Sequence, residues 1–163
     1  MKVNIIVLNY NGEKFIPECM PSIIKAKNMS SREARITVID NQSTDASLTA
    51  LEAFSGDITV VPMDNRVFCS YNKVVRDQSE EIAVLLNNDM KVKEDFLDPM
   101  VKTLENSSDI FMVAPKCFNF TGEELEGGRS KGFIKYGWFG AKARYDGWEK
   151  EVDTSGNTFQ TGF

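Results

Sequence analysis

The 163-residue sequence contains no histidine. That removes Ser-His-Asp and Cys-His nucleophilic machinery and the usual zinc sites. Acid–base chemistry must then come from carboxylates, Lys, Tyr or Cys. Any metal site must be rich in oxygen, which favours Mg²⁺ or Mn²⁺. Cysteine is scarce: Cys19, Cys69 and Cys117 are scattered and odd in number, as expected of reduced thiols in a cytoplasmic protein rather than a disulfide framework. No Lys/Arg run stands out and the net charge is −5, which disfavours a nucleic-acid binder. No apolar run approaches the roughly 20 residues that span a bilayer. The N-terminus, MKVNIIVLNYNG, lacks the long apolar region and cleavage site of a signal peptide and reads as a first strand. No G-x-G-x-x-G or G-x-x-x-x-G-K-[ST] follows a strand-like run, so dehydrogenase and P-loop readings lack their signatures.

What is present is an ordinary globular composition, 42% hydrophobic and 26% charged, on a chain long enough for one domain with a core. Short apolar runs alternate with polar, helix-compatible stretches. The runs VNIIVL (3–8), RITVID (35–40), DITVVPM (57–63) and EIAVLLN (81–87) precede helices expected at about 13–27, 45–55, 67–79 and 94–106, and DIFMVAP (109–115) closes the series. Nearly continuous Val, Ile and Leu mark strands buried on both faces, hence a mostly parallel sheet between helical layers. Pro21 is out of place inside the first helix, which should kink or start late. From residue 116 the chain turns to Gly and aromatics and reads as loops and short antiparallel strands, until TFQTGF resembles a strand start.

The apolar runs end alike: Asn9-Tyr10-Asn11-Gly12, Asp40-Asn41-Gln42-Ser43-Thr44-Asp45, Asp64-Asn65-Arg66 and Asn87-Asn88-Asp89. In an open parallel sheet these positions share the carboxyl edge, where ligands bind. Helix capping is the competing reading of each junction, above all for Ser43, Thr44 and Asp45. Asp89 carries the sharpest chemistry. Beside a phosphate it would be repelled by roughly 4 kcal/mol at about 4 Å and an effective dielectric near 20. A divalent cation between carboxylate and diphosphate reverses that sign.

Taken together, VLNYNG (7–12), VIDNQSTD (38–45), DNRVFCSYN (64–72) and LLNNDM (85–90) resemble the family 2 glycosyltransferases of GT-A fold. The resemblance covers about residues 2–115 and implies an α/β three-layer sandwich with a mostly parallel central sheet. It implies that Tyr10 stacks on the base of a nucleotide-sugar, that Asp40 hydrogen-bonds the base with Asn9 and Ser43 nearby, and that Arg66 lies near the base or diphosphate. Asn72 would help shape the pocket. Asn87, Asn88 and Asp89 match the D-x-D-type motif, with Asp89 on the metal and Asn88 facing ribose or metal. The two asparagines replace acids that many relatives carry.

The resemblance further implies an inverting, metal-dependent transfer to a hydroxyl acceptor (a glycan, lipid-linked or other), in cell-surface polysaccharide or glycoconjugate synthesis. The protein is expected in the cytoplasm or at the inner face of the membrane. The catalytic carboxylate is expected after Phe163, because Glu123, Glu124, Glu126, Asp146, Glu149, Glu151 and Asp153 match no such motif and read as solvated charges. On this reading residues 1–163 are one incomplete domain, with a nucleotide-sugar half at 1–115 and the start of an acceptor half at 116–163, and poor transfer on their own. Two alternatives stand beside it. One is a non-catalytic nucleotide- or sugar-binding module of the same fold. The other, a phospho-acceptor signalling domain, is disfavoured because the first run ends in Asn9 rather than an acid.

Overall fold

The computed structural model describes residues 1–106, 108–118, 125–127, 130–136, 138–143 and 160–161. Four parallel strands, β1 (Val3–Asn9), β2 (Ala34–Asp40), β3 (Ile58–Pro62) and β4 (Ile82–Asn87), form a sheet in the order β3-β2-β1-β4. The chain steps outward from β1 to β3 and then crosses back to the far side of β1. The order therefore reverses between β1 and β4, and their carboxyl ends flank the crevice where open α/β sheets bind ligands.

Four helices, α1 (Ile16–Met29), α2 (Ser47–Glu52), α3 (Tyr71–Asp77) and α4 (Leu97–Glu105), cover the sheet. Odd-numbered β1 residues Val3, Ile5 and Val7 share the larger core with α1, α2 and α4. Even-numbered Ile6 and Leu8 meet Ile39, Tyr71 and Val74 on the opposite face, beneath α3. β1 is buried throughout, in keeping with its nearly continuous apolar run, and its two asparagines, Asn4 and Asn9, are buried with it. The first helix starts late, at Ile16, with Pro17 in its first turn. Pro21 sits further in on the exposed side, where it removes one backbone donor from the helix.

Two expectations need correction. The run at 109–115 is not a strand: Phe111 is 92% and Met112 70% exposed, and regular structure resumes only with β5 (Lys116–Phe118). A continuous apolar run specifies a wish for burial, not a partner. β5 pairs with β6 (Leu125–Gly127) and with β9 (Gln160–Thr161), not with β4. The helix expected over 67–79 is a 3₁₀ turn, Val67–Ser70, followed by the seven-residue α3. The Gly- and aromatic-rich tail does form short antiparallel pairs, including the hairpin β7 (Ser130–Lys135) and β8 (Trp138–Ala143). Of the late acids, Glu123, Glu124, Asp146, Glu149, Glu151 and Asp153 lie outside the described residues, and of Glu126 only the backbone is described.

A polar belt crosses the sheet near its amino end. Buried Asn4 accepts from the Thr37 hydroxyl (2.9 Å) and donates to Gln78 (3.2 Å). Arg35 donates to the same hydroxyl (3.1 Å) and grips Glu80 with Nε and Nη2 (2.7 and 2.9 Å). This fork holds the Glu80 carboxyl down at about 2. A carboxylate whose folded-state pKa is depressed stabilises the fold above its unfolded value and loses that contribution as pH falls through the folded one. Glu80→Gln is therefore expected to melt below the parent at neutral pH, with the gap closing between about pH 4.5 and about pH 2. Melting temperature against pH for both proteins checks this; a gap that stays constant to pH 2 would remove the ion pair as its cause.

Candidate functional site

The loops after β1 and β2 are laced together before any ligand is considered. The Asn9 side chain, at 0% exposure, donates to Asp40 Oδ1 (2.8 Å) and Ser43 Oγ (3.1 Å) and accepts from Asn88 Nδ2 (2.8 Å). Ser43 Oγ donates to Asp40 Oδ1 (2.6 Å) and accepts from the Asn11 backbone (2.9 Å). The Ser43 backbone reaches Asp40 Oδ2 (3.1 Å), and Asn11 Oδ1 accepts from the Thr44 backbone (2.8 Å). Further out, Asp45 accepts from the Glu13 backbone (3.0 Å), Glu13 from Ala46 (3.2 Å), and Ser47 Oγ from Gly12 (2.8 Å). Asn11 and Gln42 adopt left-handed φ of 50° and 59°, a region that Asn tolerates better than most residues.

This lacing corrects one assignment. Asp40, expected to hydrogen-bond a base, is 2% exposed and already engaged at both oxygens. It lies beneath the site and holds it together. The next residue, Asn41, points the other way at the strand end. Its Nδ2 donates to the Val67 carbonyl (3.2 Å), while its buried Oδ1 has no partner. Sequence reasoning passed over Asn41. Alternation along an extended chain sends the two neighbours to opposite sides, but it does not say which of them turns inward.

Asn41 lines a cavity of about 290 Å³ with Leu8, Tyr10, Asn65, Val67, Phe68, Asn87, Asn88 and Asp89. Tyr10 is 51% exposed and Phe68 63%, so both offer aromatic surface to an occupant. The structure thus brings together Tyr10, Asn87, Asn88 and Asp89, with Asn9, Asp40 and Ser43 as the layer behind. It does not bring Arg66 and Asn72 to this cavity. Both line a separate groove between the end of β3 and α3.

Several details fix the walls. The buried Tyr71 hydroxyl donates to the Leu86 carbonyl (2.6 Å), tying α3 to the end of β4, and burial raises its pKa. Burial likewise pushes the Cys19 thiol up to about 12, and Asp89 adds to the shift. Cys19 is a neutral packing group behind Asp89 and Met90, not a nucleophile. Val67 holds φ 52°, an outlier for a β-branched residue, clamped between Asn65 Oδ1 on its N–H (3.0 Å) and Asn41 on its carbonyl.

The oxygen donors suit a hard cation. Asp89 is exposed at the cavity rim and makes no hydrogen bond or ion pair with the described residues. Asn88 uses its amide nitrogen on Asn9, which leaves its oxygen open. Among the described residues no group of three or more His, Cys, Asp or Glu could hold an ion. A Mg²⁺ or Mn²⁺ ion here would need oxygens from its ligand to complete its shell.

Comparison with known proteins follows the geometry. Glycosyl transferase family 2 matches residues 4–160. The chain is 25% identical over 133 residues to the uncharacterized glycosyltransferase YfnE of Bacillus subtilis strain 168, covering 77% of this chain and 33% of that protein. It is 25% identical over 128 residues to the poly(ribitol-phosphate) beta-N-acetylglucosaminyltransferase TarS of Staphylococcus aureus, covering 75% and 22%. Among solved structures, TarS 1–349 in complex with UDP-GlcNAc superposes with a TM-score of 0.61 at 23% identity, over 73% of this chain and 36% of that one. The mannosyltransferase PcManGT of Pyrobaculum calidifontis, in complex with GDP-Man and Mn²⁺, gives 0.57 at 25% identity, over 71% and 34%. The chain thus spans about a third or less of the curated relatives it matches.

Two substitutions test the site's construction. A Cβ on Gly12 would sit 2.1 Å from Asn88 Nδ2 and 2.3 Å from Asn9 Oδ1. Gly12→Ala should therefore break that bridge and cost about 1–3 kcal/mol, read from urea denaturation. A cost near zero would mean that the bridge yields freely. Val67→Gly should go the other way. Relief of a strain of about 1–3 kcal/mol outweighs the usual glycine penalty of about 0.5–1 kcal/mol, so the variant should be at least as stable as the parent by the same measurement.

Proposed function

The chain belongs to glycosyl transferase family 2, and from that premise we propose that the cavity between the ends of β1 and β4 holds the nucleotide part of a nucleotide-diphosphate sugar. The observation that carries the reading is the buried, unpartnered Asn41 carbonyl oxygen in a cavity that also presents Tyr10 and the uncompensated Asp89 carboxylate. Tyr10 offers a flat face for the base. Asn41 Oδ1 accepts an imide-type N–H, a donor that uracil and guanine both possess. Asn9, Asp40 and Ser43 hold these groups in position, while Asn87 and Asn88 face the ribose and diphosphate. Asp89, with the open Asn88 oxygen, would hold Mg²⁺ or Mn²⁺, which when bound stabilises the charge on the leaving diphosphate.

The reaction proposed is an inverting transfer. An acceptor hydroxyl loses its proton to a carboxylate, its oxygen bonds to the anomeric carbon, and the bond to the nucleoside diphosphate breaks. The setting proposed is polysaccharide or glycoconjugate synthesis in the cytoplasm, at the inner membrane face. Support comes from family membership and from relatives whose names state UDP-GlcNAc, GDP-Man and Mn²⁺.

A thermal-shift panel of UDP and GDP, with Mn²⁺ or with chelator, tests it, because binding to the native state raises stability by mass action. Mn²⁺ should tighten binding, Asp89→Ala should remove that gain, and Asn41→Leu should weaken binding about tenfold with or without metal, the value of one well-made hydrogen bond. Binding that chelator leaves untouched would favour the non-catalytic module. Failure of every nucleoside diphosphate to bind would sink the reading.

A further inference from the structure

The second groove carries chemistry of its own. It has a volume of about 770 Å³ and is lined by Arg66, Cys69, Ser70, Lys73 and Arg76, with Asp64 and Asp77 also on its walls. The chain as a whole is acidic, yet three cations converge here. No side chain of Arg66, Lys73 or Arg76 forms an ion pair or hydrogen bond with the described residues. Asp64 is occupied by Gln42 Nε2 (3.2 Å). Ser70 is 1% exposed, and its hydroxyl is buried without a partner. A native protein seldom strands such a hydroxyl, since each unsatisfied buried polar group carries its desolvation cost.

We propose that this groove is a second anion site, distinct from the cavity of Tyr10 and Asp89, that binds a phosphodiester-type phosphate. Three cations against two carboxylates leave one net positive charge, which matches a monoanionic phosphodiester better than a phosphate dianion. The Arg66 and Arg76 guanidinium forks suit paired phosphate oxygens, Lys73 supplies a point charge, and Ser70 Oγ–H donates. That phosphate can belong to a soluble polymer or to a lipid headgroup. The inference does not rest on the donor reading.

The test is an NMR titration of the whole chain with bis(glycerol) phosphate and with inorganic phosphate. Vesicle co-sedimentation, with phosphatidylcholine alone or mixed with phosphatidylglycerol, runs in parallel. The diester should shift the amides of Ser70, Lys73 and Arg76 and leave those of Tyr10 and Asp89 still. Lys73→Glu/Arg76→Glu should weaken its binding about tenfold or more, since two favourable charge contacts become repulsive, while Asp89→Ala leaves it intact. Should the double variant misfold, Lys73→Gln/Arg76→Gln and the parent's shift map still decide. Sedimentation only with phosphatidylglycerol assigns the phosphate to lipid; diester binding without sedimentation assigns it to a soluble chain. If no probe shifts the groove, or if Asp89→Ala abolishes binding while the charge variants do not, the proposal fails. Neither result bears on nucleoside diphosphate binding.

Discussion

The site depends on one buried amide. Asn9 ends β1 where the strand order reverses, and its side chain uses both amide hydrogens and its oxygen within the protein. One group thereby ties the loop after β2 to β1, and the loop after β4 to both. Leaving a buried amide half-satisfied costs about 1–3 kcal/mol per missing partner. The three loops therefore hold their mutual arrangement without a ligand. Gly12 is required for the same reason: there is no room for a Cβ against the Asn9–Asn88 bridge. A site on loops gains rigidity this way, through side chains that satisfy backbone groups of neighbouring loops as repeating structure would.

The consequence is a division between an inner saturated layer and an outer open one. Asn9, Asp40 and Ser43 make their bonds inward. Tyr10, Asn41 and Asp89 keep capacity for something else. A carboxylate already accepting from Asn9 and Ser43 is poorly placed to receive a ligand's donor as well. Asn41 is better suited, since its nitrogen is anchored and its oxygen is not. Position relative to hydrogen-bond supply, more than residue type, decides which polar group can meet a ligand.

How much of this was legible in the sequence follows from the same distinction. Val/Ile/Leu-rich runs announced β1, β2, β3 and β4 and their parallel arrangement, but burial on both faces holds only for β1 and most of β2; β4 alternates, with Leu85 51% exposed, and β3 is largely open. Polar residues at each run's end announced the edge where the site lies. Asp40 and Asn41 were not separable, because which of two adjacent residues turns inward depends on the register of β2 against β1, where Asn9 meets Asp40. The apolar run at 109–115 misled for a related reason. Hydrophobicity says that a segment seeks cover, but pairing with β4 also needs a matching edge in reach. Arg66 and Asn72 line the groove rather than the cavity of Tyr10 because they belong to a 3₁₀-then-α segment whose turn no composition signal marks.

That segment is the common wall of two recesses. Val67 and Phe68 face the cavity of Tyr10, while Arg66, Cys69 and Ser70 line the groove. A tight 3₁₀ turn, with about three residues per turn, lets adjacent residues serve opposite sides. Its backbone is fixed at one strained residue, Val67, held from one side by Asn65 and from the other by Asn41. Asn41 therefore divides one side chain between two conditions: its nitrogen sets the wall, and its buried oxygen is left without a partner. Any ligand that moved Asn41 would release the Val67 carbonyl and let the strained turn relax. Any occupant of the groove that shifted the turn would move Asn41. Such coupling, where it exists, must be reciprocal in free energy. What the fold supplies between the two recesses is the Asn41–Val67 hydrogen bond of 3.2 Å.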